Sequence, residues 1–126
     1  MALGLQDAAA QGDLDQVDIL LNAGAAIDGK NGLGTTALMW AVAHGNTEVA
    51  ARLLARGADV NAANANGLTA LHLSVSAGKP ELVETLLAAG ANTKAKTAKG
   101  ETSLMRARLR RHTNIGCLLR NAGAAE

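Results

Sequence analysis

Aromatic residues are nearly missing. Trp40 stands alone among 126 residues, with no phenylalanine and no tyrosine. A core made without them must be packed from Ala, Leu, Val and Ile. This disfavours a large sandwich or barrel, whose strands draw on β-branched and aromatic side chains. The single cysteine, Cys117, excludes an intrachain disulfide and a zinc site of four thiolates. No apolar run approaches the roughly 18 residues of a membrane-spanning helix. One proline and well-spread apolar residues argue against a disordered chain. The start, MALGLQDAAAQGD, lacks the basic stretch and sustained apolar run of a secretory signal. A cytoplasmic protein is therefore expected, with the periplasm or the exterior as the alternative if a leader has been removed.

The length allows one domain or a short array of stacked units. Alanine is abundant, at 28 positions. The formal net charge of +1 hides an asymmetry. Residues 1–61 carry seven acids and three bases, a balance of −4. Residues 62–126 carry nine bases and four acids, a balance of +5. If order along the chain becomes order in space, the molecule has an acidic end and a basic end.

Self-comparison shows a repeat of 33 residues. Gly-Ala recurs at Gly24, Gly57, Gly90 and Gly123. At the same period stand Leu20, Leu53, Leu86 and Leu119, and also Leu5, Leu38, Leu71 and Leu104. Gly34, Gly67 and Gly100 follow the same spacing, as do Thr36, Thr69 and Thr102. No insertion breaks the register. This period suits two short helices and a turn. In the third unit, Thr69 is the expected N-cap of a first helix, because its hydroxyl can accept an orphaned backbone N–H. Leu71, Ser74 and Val75 share one face of it. Gly78 ends it, and Pro80 suits the first position of a second helix, where no N–H is needed. Glu81 favours the dipole of that helix, Leu82, Val83, Leu86 and Leu87 form its buried stripe, and Gly90 stops it.

These residues resemble the ankyrin repeat, whose pattern runs Gly-x-Thr-Pro-Leu-His-x-Ala, then a Gly, then a helix ending in Leu-Leu-x-x-Gly-Ala-Asp-Val-Asn. The nearest matches are GLTALHLSVSAGKPELVETLLAAGAN at 67–92 and GTTALMWAVAHGNTEVAARLLARGADVN at 34–61. The family proline is replaced by Ala37, Ala70 and Ser103. The family histidine survives only as His72, with Met39 and Met105 at its other positions. These changes weaken the first-helix cap without altering the fold. The resemblance implies an all-α solenoid of helix-turn-helix units joined by β-turn loops. It would form one domain over 1–126, with units at about 1–28, 29–61, 62–94 and 95–126.

The outer units read as caps, which need one face that tolerates water. Gln16 stands where inner units carry Val49 and Leu82. Arg108 replaces Val42 and Val75, and Arg120 replaces Leu54 and Leu87. Arg111 replaces the inter-helix glycine of Gly12, Gly45 and Gly78, so a somewhat irregular turn is expected there.

The resemblance also implies that partners bind a concave face of loop tips and first helices. Mapped onto this chain, the loop positions are Leu33 and Thr35, Asn66 and Leu68, and Lys99 and Glu101. The first-helix positions are Asp7, Trp40, Leu73 and Arg106, with Gln11, His44, Ala77 and Arg110 one turn further on. Trp40 lies outside the buried Leu register. It reads equally as an interface anchor or as a cover between neighbouring first helices. The basic run Arg106 to His112 reads as a solvated cap face or a site for an acidic partner. Nucleic acid is disfavoured, since there are almost no aromatics for bases to stack on and the net charge is near zero.

Catalysis is not expected. His72 belongs to the repeat and should bond Thr69 or backbone. His44 and His112 occupy different repeat positions, and Cys117 falls on an outer-helix position. No acidic pair, metal constellation or phosphate loop converges, so no cofactor or metal is expected. The leading expectation is a protein-binding module, monomeric alone, that engages one partner over about 800 Å² per side. Small bacterial proteins that look like this sometimes inhibit or protect an enzyme, immunity-fashion, and the alanine content is compatible with such a source. The alternative is a self-associating scaffold in which Leu33, Leu68 and Leu73 form an exposed dimer patch.

Overall fold

The computed structural model describes residues 4–123. Among the described residues there are eight α-helices: α1 (Leu5–Gln11), α2 (Leu14–Asn22), α3 (Ala37–Ala43), α4 (Thr47–Ala55), α5 (Ala70–Ala77), α6 (Pro80–Ala88), α7 (Ser103–Leu109) and α8 (Thr113–Asn121). The expected unit limits at 1–3 and 124–126 lie outside the described residues. The helices form four antiparallel pairs. Each odd helix packs on the next odd helix, and each even helix on the next even one. This is the stacked, all-α array that the 33-residue period implies.

Local chemistry sets the helix ends. The hydroxyls of Thr36, Thr69 and Thr102 accept the backbone N–H of Met39, His72 and Met105, capping α3, α5 and α7. At α5 the cap is reciprocal, since Thr69 N–H also donates to His72 Nδ1 at 3.2 Å. Methionine at 39 and 105 has no nitrogen to return that bond. Pro80 opens α6 at its first position, as its ring prefers.

The inter-helix turns need a left-handed residue. Gly12, Gly45 and Gly78 supply it with φ of 75°, 70° and 68°. Arg111 takes the same conformation, with φ 58°, and is the only non-glycine residue with positive φ among those described. The expectation of an irregular turn is therefore corrected. His112 N–H donates to the Ala107 carbonyl at 2.9 Å, matching Asn46 to Ala41 at 2.8 Å and Asp13 to Ala8 at 3.1 Å. The turn geometry is kept, at the cost of a left-handed backbone at a residue with a Cβ.

The core runs continuously through all four units. Leu38, Leu53, Leu71, Leu82, Leu86, Leu104, Ile115 and Leu119 are buried, as are Val17, Val42, Val49, Val75 and Val83. Ala8, Ala9, Ala41 and Ala50 are fully buried at the contacts between helices. Small side chains at such contacts let helix backbones approach closely, so a core almost free of aromatics can still exclude water. Each leucine removed from water contributes about 1.5–3 kcal/mol.

Backbone and side-chain bonds tie one unit to the next at fixed offsets. Ala65 N–H donates to the Leu33 carbonyl at 2.9 Å, and Ala98 N–H to the Asn66 carbonyl at 2.8 Å, so successive loop tips form a ladder. On the second-helix side, Arg52 of α4 pairs with Asp18 of α2, and Arg56 Nη2 donates to Asn22 Oδ1 at 3.0 Å. The Asp18 hydrogen bond, followed by its charge, raises the Arg52 pKa. Such surface pairs contribute little beyond register. No described helix is long and apolar enough to cross a membrane.

Candidate functional site

The loop tips are shaped by one side chain each. Asn31 Oδ1 accepts from Leu33 N–H at 2.9 Å and Thr35 N–H at 3.0 Å. Asn64 Oδ1 accepts from Asn66 N–H at 2.9 Å and Leu68 N–H at 3.0 Å. Thr97 Oγ1 does the same for Lys99 at 3.3 Å and Glu101 at 3.2 Å. This local bonding throws residues 33, 66 and 99 outward, and all three are exposed. Residues 35, 68 and 101 turn back toward the helices and are half-buried. Their carbonyls hold the loops on. Gln6 Nε2 donates to the Thr35 carbonyl at 3.1 Å, and His72 Nε2 bonds the Glu101 carbonyl at 3.0 Å. The structural role expected of His72 is thus observed, and its ring is fully buried. That burial lowers its pKa. The carbonyl bond to Glu101 opposes the effect and the charge of Arg106 reinforces it.

On the first helices, Asp7, Gln11, His44 and Arg110 are exposed, while Trp40, Leu73, Ala77 and Arg106 are half-buried. Trp40 stacks on His44, with ring centroids 5.9 Å apart and planes 13° from parallel. Its ring also packs on the core, and its Nε1–H finds no hydrogen-bond partner. Leu73 likewise packs on the core. The expected patch of three exposed leucines is therefore corrected. Leu33 is 71% exposed, but Leu68 and Leu73 are half-buried.

One depression of about 360 Å³ lies between the second and third loop tips. Asn66, Leu68, Lys99, Glu101 and Arg106 line it together with Thr97 and Ala98. The structure thus gathers five of the candidate residues in one place. Leu33, Thr35, Trp40, His44, Leu73, Ala77 and Arg110 lie outside it, as do Asp7 and Gln11. Within it, Arg106 Nε donates to Glu101 Oε1 at 2.6 Å, and Arg106 Nη1 to Ser76 Oγ at 2.6 Å. Arg106 is fixed in place, its side chain only 18% exposed, while Lys99 reaches solvent.

Three surface residues, Ile19 among them on the second-helix side, escape sequence reasoning. Ser76 holds Arg106 from thirty positions away, and no local pattern signals it. Leu109, 76% exposed, stands where other units carry Ala10, Ala43 and Ser76, a large apolar residue at a small-residue position. Ile19, 59% exposed, stands where inner units carry Arg52 and Thr85. Both departures were readable in the repeat alignment.

Among the described residues, no group of three or more His, Cys, Asp or Glu could hold a metal ion. The one carboxylate of the depression, Glu101, is already paired with Arg106.

The chain belongs to the ankyrin-repeat family. A family model described as ankyrin repeats (3 copies) matches residues 5–97 and, in an overlapping window, 53–125. Ankyrin repeats are in general protein–protein interaction modules and are typically non-catalytic. A comparison with curated proteins returned no match.

Proposed function

We propose that this chain binds one partner protein through the face of loop tips and first helices, and acts by occupying that partner as an inhibitor or protector of an enzyme. The observation that carries this reading is the depression that gathers Asn66, Leu68, Lys99, Glu101 and Arg106 from two loops and one helix. Those groups offer an apolar wall, a fixed guanidinium and an exposed ammonium side by side. Leu33 at the neighbouring tip and the Trp40–His44 stack supply apolar area of the kind enriched in interface anchors. Polar residues at the rim set orientation and association rate more than affinity.

The test captures proteins from the source organism on immobilised full chain, with Trp40→Ala and Leu33→Glu as comparators and the melting temperature of each measured. One stoichiometric partner, lost from both variants at an unchanged melting temperature, is the expected result. Equal capture by all three chains, or loss only from variants that melt early, overturns it. A second reading, self-association, draws on the exposure of Leu33. Light scattering over a range of concentrations decides it, since a mass independent of concentration removes that reading.

A further inference from the structure

Four large apolar side chains stand exposed among the described residues: Ile19, Leu33, Met105 and Leu109. All but Leu33 occupy positions that an adjoining unit contacts elsewhere in the stack. Ile19 is equivalent to Arg52, which reaches back to Asp18 of the preceding unit. Met105 is equivalent to His72, whose Nε2 bonds the Glu101 carbonyl of the following unit. Leu109 is equivalent to Ser76, whose Oγ accepts from Arg106 of the following unit. The first and last described units therefore each expose apolar side chains at seam positions.

The two end faces also complement each other position by position. At each inner seam the turn glycine of one unit points at the N-cap residue of the next unit's second helix. A Cβ at Gly12 would stand 3.1 Å from Asn46, one at Gly45 2.7 Å from Lys79, and one at Gly78 3.2 Å from His112. In the same register the last turn carries Arg111 and the first N-cap is Asp13, both exposed. Asp13 caps α2 with one oxygen, which accepts from Gln16 N–H at 3.1 Å, and leaves the other for a cation. Lys79 spans its seam from the N-cap side, donating to the Gly45 carbonyl at 3.1 Å. Between the end faces the long cation stands on the turn side and the short carboxylate on the N-cap side. The position of Asp18, which holds Arg52 across the first seam, is Cys117 in the last unit, and it is exposed. An ion pair at the inner seam thus becomes an isoleucine facing a thiol, with both charges lost together. The balance of −4 in the first half against +5 in the second draws the same two faces toward each other.

We infer that the last unit of one copy receives the first unit of a second copy, so that the stack continues from chain to chain. Arg111 pairs with Asp13 of the second copy, and Cys117 lies against its Ile19. Such a contact is heterologous and does not close on itself, so copies add one after another. The loop-tip face runs along the side of the stack and stays open. The inference is therefore independent of the partner-binding reading.

Sedimentation of the full chain over a range of concentrations, at low and high salt, tests it. Asp13→Lys copies the N-cap residue of α6, and Arg111→Asp places in the left-handed turn a residue that tolerates it. The expected result is an average mass that rises with concentration past the dimer, less steeply at high salt. Each single variant sets like charges face to face and weakens association roughly tenfold. The double variant Asp13→Lys/Arg111→Asp restores the pair in reverse, and association returns. Leu33→Glu leaves association unchanged, which separates this contact from the loop-tip face. Should either charge variant melt early, Ile19→Arg keeps the test decisive. It gives an exposed site the residue α4 carries, disturbs no cap, and is expected to weaken association as well. A mass fixed at one copy, a plateau at two, or association lost in Leu33→Glu overturns the proposal. So do folded single variants that associate as the parent does, or a double variant that fails to recover.

Discussion

At the scale of single residues, the repeat acts as an internal standard, since each position carries its own controls three units over. Arg111 sits in a glycine turn, and Arg111→Gly is expected to raise stability by about 1 kcal/mol in urea denaturation. No gain would mean that the left-handed arginine is held by contacts worth as much as its strain. Gly116 makes the opposite case. It lies buried inside α8, where the other units carry Val17, Ala50 and Val83. A Cβ built there meets only Leu104 Cδ1, at 3.9 Å, which is ordinary contact. Gly116→Ala should therefore stabilise by about 1 kcal/mol, and a fall in the denaturation midpoint would show that α8 packs closer than this geometry allows. His72 adds a pH term. Its folded pKa lies below the ordinary histidine value of 6.5, so the unfolded chain binds the extra proton. The stability it confers is complete above the unfolded value and is lost as pH falls through that value toward the folded one. Unfolding free energy should drop as pH falls from about 7 to about 5, and His72→Met, the residue of Met39 and Met105, should flatten that part of the curve. An unaltered pH profile in the variant would place the titration elsewhere.

At the scale of elements, two glycines in equivalent loops separate backbone strain from crowding. Gly67 and Gly100 have φ of 77° and 79°. A Cβ at Gly67 would stand 2.9 Å from Ala98 N of the next loop, whereas one at Gly100 meets nothing within 4 Å. Gly100→Ala is expected to cost about 1 kcal/mol for conformation alone, and Gly67→Ala about twice that or more. Thermal melts giving equal losses would mean that the loop ladder yields easily. The helices and their caps were legible in the sequence, because Thr36, Thr69 and Thr102, the turn glycines and the leucine stripes recur without a break. The loss of glycine at Arg111 pointed to a somewhat irregular turn, whereas Arg111 itself adopts the left-handed conformation and keeps the turn bond. The site was legible as a set of positions but not as a constellation. Periodicity says which residues reach the face. It does not say that Arg106 bonds Glu101 and Ser76, nor that Leu68 and Leu73 are half-buried. The Arg106–Ser76 bond joins residues thirty positions apart.

For the whole molecule, nearest-neighbour stacking sets the pattern of opening. Among the described residues, the inner helices α3 to α6 have a packed unit on both sides, whereas α7 and α8 have one on a single side. Amide exchange should be faster at Arg111 and its neighbours than across residues 69–90. Uniform protection would indicate a single cooperative block instead of separable layers. The split between a −4 first half and a +5 second half now follows the direction of the stack, so the poles are physical as well as sequential. The bonds that join layers repeat their own addresses. Ala65 reaches Leu33 and Ala98 reaches Asn66, in each case thirty-two places back. A duplicated stretch of one period, spliced between two inner layers, would find its donors and acceptors already waiting above and below. The length of such an array is therefore free to drift by whole modules over evolutionary time, with no new bonding rule to be invented at either seam.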